Sequence, residues 1–254
     1  MELTFGAHKR IPIDIKFSTL VCILSRYTAT FLQYVPQSNL MNLFHNLSSY
    51  LDANFKGFHI KQPLFFSGFP ALRFDLQAEN LHTCDNAYFD EVVKRMKKIH
   101  AVSIDGDDDI AIFYRKYTYK RRKIRKYNYL FKQIDTNTAR VQFKKNRTII
   151  YEDGPYSKAD NSSQAVIYDK AANINFSNIY LSIANADFNR RPYIDGELFI
   201  VNLTKQTVML MYDDRGCDLI SPDLELLEEY YYSLTGLILE VNRPEIIRRL
   251  QLKS

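Results

Sequence analysis

Apolar residues recur at helical spacing from Phe17 through Leu20, Val21, Leu24, Phe31 and Val35, and again after Pro36 at Leu40, Leu43, Phe44, Leu47 and Leu51. Those two stretches predict an antiparallel helix pair, Phe17 to Val35 and Leu40 to Ala53. Gly57 to Pro70 holds Pro63, Gly68 and Pro70, the densest run of chain breakers. It is expected to join a helical extension, residues 1–68, to a main domain, residues 69–254. From Ala71 to Gln77 the pattern changes: Leu72, Phe74 and Leu76 alternate with Arg73, Asp75 and Gln77, as in a half-buried strand. A helix follows near Tyr88 to His100, with Phe89, Val92, Val93, Met96 and Ile99 on one side.

Strand-like runs then come at Ile110 to Tyr114, Tyr127 to Ile134, Ala139 to Phe143, Arg147 to Tyr151 and Ala165 to Tyr168. The links between them are too short for helical crossovers, which predicts an antiparallel meander. A helix around Asn178 to Asp187 is expected next, then a hairpin of Glu197 to Val201 and Thr207 to Tyr212. Ser221 is expected to cap a helix with Pro222 at its first position and Asp223 behind it. A short helix after Asn242 ends the chain. The fold class is therefore α+β, a mainly antiparallel sheet with packing helices, plus the N-terminal helical appendage.

Composition narrows the classes. With 254 residues and 46% hydrophobic content the chain can bury a core, and 18 Tyr and 17 Phe with no Trp suit strands and regular helices. Three cysteines, Cys22, Cys84 and Cys217, form no CxxC pair, so neither a disulfide framework nor a zinc cage is indicated. The five histidines, His8, His45, His59, His82 and His100, show no metal-binding spacing. No run approaches the roughly 18 apolar residues of a membrane span. The start of the chain does not read as a signal peptide. A cytoplasmic location, no membrane partner and no cofactor are expected.

Three runs, RRKIRKYNYLFKQI (Arg121 to Ile134), RPYIDGELFIVN (Arg191 to Asn202) and MYDDRGCDLI (Met211 to Ile220), come in an order that resembles a bacterial domain-of-unknown-function family, numbered three-eight-eight-five. The opening strand LRFDL (Leu72 to Leu76) fits the same pattern, and the resemblance covers about Phe69 to Leu252. It implies a bacterial cytosolic protein and transfers no catalytic residue. One departure lies at Gly236 to Arg243, GLILEVNR, where the family pattern looks like a Trp-Ile-Leu-Asp-Tyr-Asp-Arg run.

Two constellations could carry chemistry. Arg115, Lys116, Lys120, Arg121, Arg122, Lys123, Arg125 and Lys126 form a basic stretch with Tyr117 and Tyr119 interleaved. Cations beside aromatic faces suit a nucleic-acid groove. They also suit an acidic protein partner, a solvated hairpin, or pairing with the acidic run Asp105, Asp107, Asp108 and Asp109. No RRM, KH or zinc-knuckle signature accompanies the stretch, which favours protein over nucleic acid.

The second constellation is Tyr212-Asp213-Asp214-Arg215-Gly216-Cys217-Asp218. Asp213, Asp214 and Asp218, joined by Asp195 and Glu197 if their strands pair, could hold a divalent cation for a phosphoesterase-like reaction. A tight turn asks for the same residues, with Asp accepting backbone N–H groups and Gly216 at positive φ. The turn is favoured, so no metal site is assigned. There is no GxGxxG, GxxxxGK[ST] or GxSxG motif. The leading expectation is a non-enzymatic interaction protein, immunity-type or regulatory, that meets a macromolecule through its charged surface.

Overall fold

A strand with no polar alternation needs cover on both faces, and the segments ELFIVN, TVMLM and GCDLI have every residue buried. The computed structural model describes residues 42–118, 124, 128–147 and 161–252. In chain order the elements are α1 (Leu43–Asn54), β1 (Ala71–Asp75), α2 (Asn86–Ser103), β2 (Asp109–Thr118), β3 (Arg140–Arg147), β4 (Asn161–Lys170), α3 (Phe176–Ala184), β5 (Glu197–Asn202), β6 (Thr207–Met211), β7 (Gly216–Ile220), α4 (Leu224–Ser233) and α5 (Arg243–Leu250). The seven strands make one sheet in the order β1-β7-β6-β5-β2-β4-β3, with every neighbouring pair antiparallel. The protein is thus α+β.

The strand order is not the simple meander expected. β2 sits between β5 and β4, and β1 pairs with β7 at the far edge. β7 itself was not foreseen, because its fully buried run directly after a turn carries no alternation to mark it.

Residues directly opposite across antiparallel strands share a face, so the register defines two layers. One face carries Ala111, Phe113 and Arg115 of β2 opposite Val201, Phe199 and Glu197 of β5, and continues through Leu210 and Asp218 to Arg73. The segment before β1 covers it: Tyr50 donates its hydroxyl to the Leu203 carbonyl at 3.1 Å and Phe65 donates its N–H to Asp218 at 3.0 Å. Leu43, Leu47, Leu51, Phe55, Phe58, Leu64 and Phe65 all belong to the main core. The compact unit begins at Asn42. The other face, with Ile112, Tyr114, Ile200, Met209 and Leu219, lies beneath α2 and α3, and α4 packs beside α2.

Local chemistry accounts for the remaining differences. In place of the expected strand Tyr127 to Ile134, Tyr129–Gln133 is a 3₁₀ helix, entered where the Asn128 side chain accepts from the Leu130 N–H at 3.2 Å. The cap of α4 is Asp223, which accepts from the Leu226 N–H at 3.1 Å. Ser221 stands behind it, accepting from the Asp223 N–H and donating to the Gln206 carbonyl. The expected strand Arg147 to Tyr151 runs beyond β3 into residues outside the description, as does the expected helix Phe17 to Val35. The departure stretch Gly236–Arg243 lines the outer edge of β1, where Ile238 bridges Phe74 and the Leu239 N–H donates to the Arg73 carbonyl. That cover protects an edge strand from pairing with other chains. No helix among the described residues is long and apolar enough to cross a membrane.

Candidate functional site

The acidic residues singled out in the sequence all lie toward one end of the sheet, because β5 begins and β6 ends there. They do not converge on one centre. Asp218, fully buried in β7, sits directly opposite Arg73 of β1 and accepts from its Nε at 2.7 Å and its Nη2 at 2.9 Å. Phe65 N–H completes its shell. Glu197 sits directly opposite Arg115, whose Nε and Nη2 reach it at 2.8 and 2.6 Å. Asp195 pairs with Lys116. Asp195, Glu197 and Asp218 are therefore engaged by cations at separate points.

Asp213 and Asp214 form the turn between β6 and β7. Asp213 accepts from the Arg215 backbone N–H at 2.8 Å and from its guanidinium Nε at 2.8 Å. Asp214 accepts the Tyr88 hydroxyl at 2.5 Å. Burial pushes the Asp214 carboxyl above its ordinary range despite that bond, with Asp213 adding to the rise. Burial and the neighbouring carboxylate likewise raise the Tyr88 hydroxyl, which keeps its proton and remains a donor. One oxygen each of Asp187, Asp213 and Asp214 lie within 4.8 Å of one another. Asp187, on the 3₁₀ helix Ala186–Phe188, was missed by sequence reasoning, since nothing local ties it to a turn 26 residues later. Arg73 was missed as well, because alternation puts it on the polar side of a half-buried strand, the side that the structure covers.

Gly216 is not at positive φ, contrary to expectation. Its lack of a side chain is required by contact: a Cβ there would lie 1.9 Å from the Tyr212 Oη and 3.0 Å from the Phe74 carbonyl oxygen. In this region Gly196 has the positive φ, +122°, and a Cβ there would also meet the Arg115 carbonyl oxygen at 2.4 Å. This glycine lets the chain pass close to β2 between the two paired acids Asp195 and Glu197.

Of the basic stretch, Arg115 is turned into the covered face of the sheet and Lys116 holds Asp195. Lys120, Arg121, Arg122, Lys123, Arg125 and Lys126 lie outside the described residues. The acidic run begins at the other end of β2, and Asp109 and Thr118 are roughly 30 Å apart at about 3.3 Å per residue. That run has its own partners: Lys205 pairs with Asp105 at 2.9 Å and Lys170 with Asp109 at 2.8 Å. Asp108 is buried and accepts from Asn202 Nδ2 at 2.7 Å. At the basic end, the register sets Lys144–Arg147 of β3 beside Asn161–Gln164 of β4, which lies beside Arg115–Thr118. Lys144 and Lys145 are exposed there.

Compared with known proteins, residues 47–242 match a domain of unknown function, DUF3885. The chain belongs to this family. The DUF3885 match starts within α1 and stops just before α5, so it takes in the whole sheet and most of the segment that covers its first face. The chain is also 26% identical over 144 residues to the uncharacterized protein YnaE of Bacillus subtilis (strain 168), across 50% of this chain and 63% of that protein. It thus spans less than two thirds of that relative's length. No solved structure matches this DUF3885 protein.

Proposed function

We propose that this DUF3885 protein is a non-enzymatic interaction module, immunity-type or regulatory, that meets an acidic protein surface with the basic end of its sheet. The observation that carries the reading is the separation of charge along β2. The run from Arg115 to Lys126 holds eight cations, and no Asp or Glu occurs between Ile110 and Ile134. Arg115 and Lys116 are held by Glu197 and Asp195, which leaves six of the eight, and the acidic run before β2 lies at the opposite end of the strand, with Asp105 and Asp109 taken up by Lys205 and Lys170. Exposed Lys144 and Lys145 of β3 add to the same end. Unscreened charge of one sign accelerates encounter with the opposite sign and makes association salt-dependent. The test is capture from the native host followed by charge reversal at Lys120, Arg121 and Arg122. Binding should weaken, and single-stranded RNA or DNA should not compete at physiological salt. Unchanged affinity would refute the reading, and tight competition by nucleic acid would replace the partner class.

A metal-dependent phosphoesterase is the second reading, and the convergence of Asp187, Asp213 and Asp214 is the observation in its favour. Against it, Asp213 is engaged by Arg215, and Asp195, Glu197 and Asp218 are each neutralised elsewhere. A rise in melting temperature with Mn²⁺ that disappears in Asp187→Asn would restore it.

A further inference from the structure

A second candidate site is a cleft whose lining includes none of these acids. It has a volume of about 740 Å³, within the range of about 300–1,000 Å³ usual for small-molecule sites. Three elements build it: the C-terminal half of α2, the 3₁₀ helix Tyr129–Gln133 with the residues that follow, and the start of α3. Its wall is preformed, because Ile134 bridges Ile174, the Asp135 N–H donates to the Asn173 carbonyl at 3.0 Å and the Asn175 N–H donates to the Gln133 carbonyl at 2.7 Å.

The polar lining is rich in donors. Lys97 from α2 and Lys132 from the 3₁₀ helix both line the cleft, and neither side chain has an ion-pair or hydrogen-bond partner among the described residues. This sets them apart from Arg73, Arg115, Lys116, Lys170 and Lys205, each held by a carboxylate. His100 lines the same space. Its Nδ1 lies 2.9 Å from the Tyr180 hydroxyl and its ring packs on Phe176 at 4.8 Å, leaving Nε2 as the nitrogen for a ligand. Ser177, in the first turn of α3, adds a hydroxyl. The one carboxylate in the lining, Asp135, accepts from the Asn137 N–H. Two ammonium groups against one carboxylate give the described lining a positive balance. Its apolar part, Ile134, Ile174 and Phe176, offers room beyond what a bare ion fills.

We propose that this cleft binds a small organic anion, anchored through a phosphate or carboxylate group by Lys97 and Lys132, with His100 and Ser177 as further hydrogen-bonding groups. The site is independent of the basic end of the sheet, so either proposal can fail alone.

The test uses the full chain and two probes, inorganic phosphate and succinate, titrated at constant ionic strength against chloride. Binding is read by calorimetry and by the imidazole resonances of His100, identified through a His100→Gln variant. At least one probe should bind and shift the His100 resonance. Lys97→Met with Lys132→Met, which keeps the aliphatic stems, should weaken that binding by about tenfold or more. Preference for phosphate would mark a phosphorylated ligand, and preference for succinate a carboxylated one. Silence with both probes, an unmoved His100 resonance on binding, or undiminished affinity in the double variant would each overturn the proposal.

Discussion

Gly216 separates two causes that look alike in a sequence. Asp-Asp-Arg-Gly after an apolar strand announces a turn, and the Asp213 bonds to Arg215 bear that out. The reason for glycine lies elsewhere, in the Tyr212 side chain folded against it, and no local pattern reveals that contact. Gly216→Ala should cost about 1–3 kcal/mol by overpacking, and Tyr212→Phe, which removes the clashing oxygen, should recover part of the loss in a double-mutant cycle of denaturant midpoints. Strain from a positive φ would show no such rescue. The buried Asp218 should be the most sensitive carboxylate of the set. Asp218→Ala leaves Arg73 without its partner on a covered face and should cost about 3–5 kcal/mol. Asp214 should behave in the opposite way. Its carboxyl is raised in the folded state, so the unfolded chain ionises more readily and stability is lost as pH rises through the folded value. Asp214→Asn, whose amide oxygen still accepts from Tyr88, should therefore melt higher than the parent at neutral pH. The two curves should converge below the ordinary Asp value of 3.8, and a variant that melts lower at pH 7 would contradict the assignment.

At the scale of elements, periodicity found what is local. α2, α3, β2, β4 and the β5–β6 hairpin lie within a few residues of where their apolar spacing put them. What it could not supply was the pairing of strands distant in sequence: Ala71 opposite Ile220 depends on a register set about 150 residues away. Both ion pairs of the covered face are products of that register, since Arg73–Asp218 and Arg115–Glu197 are directly opposed residues. The covering segment shows the same limit. The breakers between Gly57 and Pro70 read as a linker, yet Phe58, Leu64 and Phe65 are buried within them. A compact unit spans Asn42–Ser254, and we propose a boundary before Asn42 in place of one near residue 68. A chain beginning at Asn42 should unfold cooperatively. One beginning at Phe69 lacks the layer over Phe113, Phe199 and Val201 and should lose cooperative unfolding and bind a hydrophobic dye. If limited proteolysis between Gly57 and Pro70 releases a stable C-terminal fragment, the earlier boundary is wrong.

At the scale of the molecule, β2 sets the acidic run at its start apart from the basic stretch at its end, where Asp195 and Glu197 are already held by Lys116 and Arg115. The composition already contained the imbalance of +5, but its placement required the strand direction. β2 carries its acidic start and basic end about 30 Å apart, well beyond the screening length of about 8 Å at physiological ionic strength. Each end therefore acts on an approaching partner almost independently. If an acidic surface docks at the basic end, Lys144→Glu with Lys145→Glu should slow association. Both lysines are exposed on β3, so the fold should tolerate the change. Asp107→Lys, an exposed substitution at the other end, should leave the association rate nearly unaltered, even though it shifts net charge by the same two units as one lysine reversal. Net charge alone predicts a different result, a faster rate in the Asp107 variant and a slower one in proportion to total charge in the lysine variants. Stopped-flow association at low and high salt separates the two models. Local steering gives a salt-sensitive loss confined to the β3 variants, and opposite effects that scale with the charge changes, −4 for the double lysine variant against +2 for Asp107→Lys, would show that placement along the sheet is irrelevant.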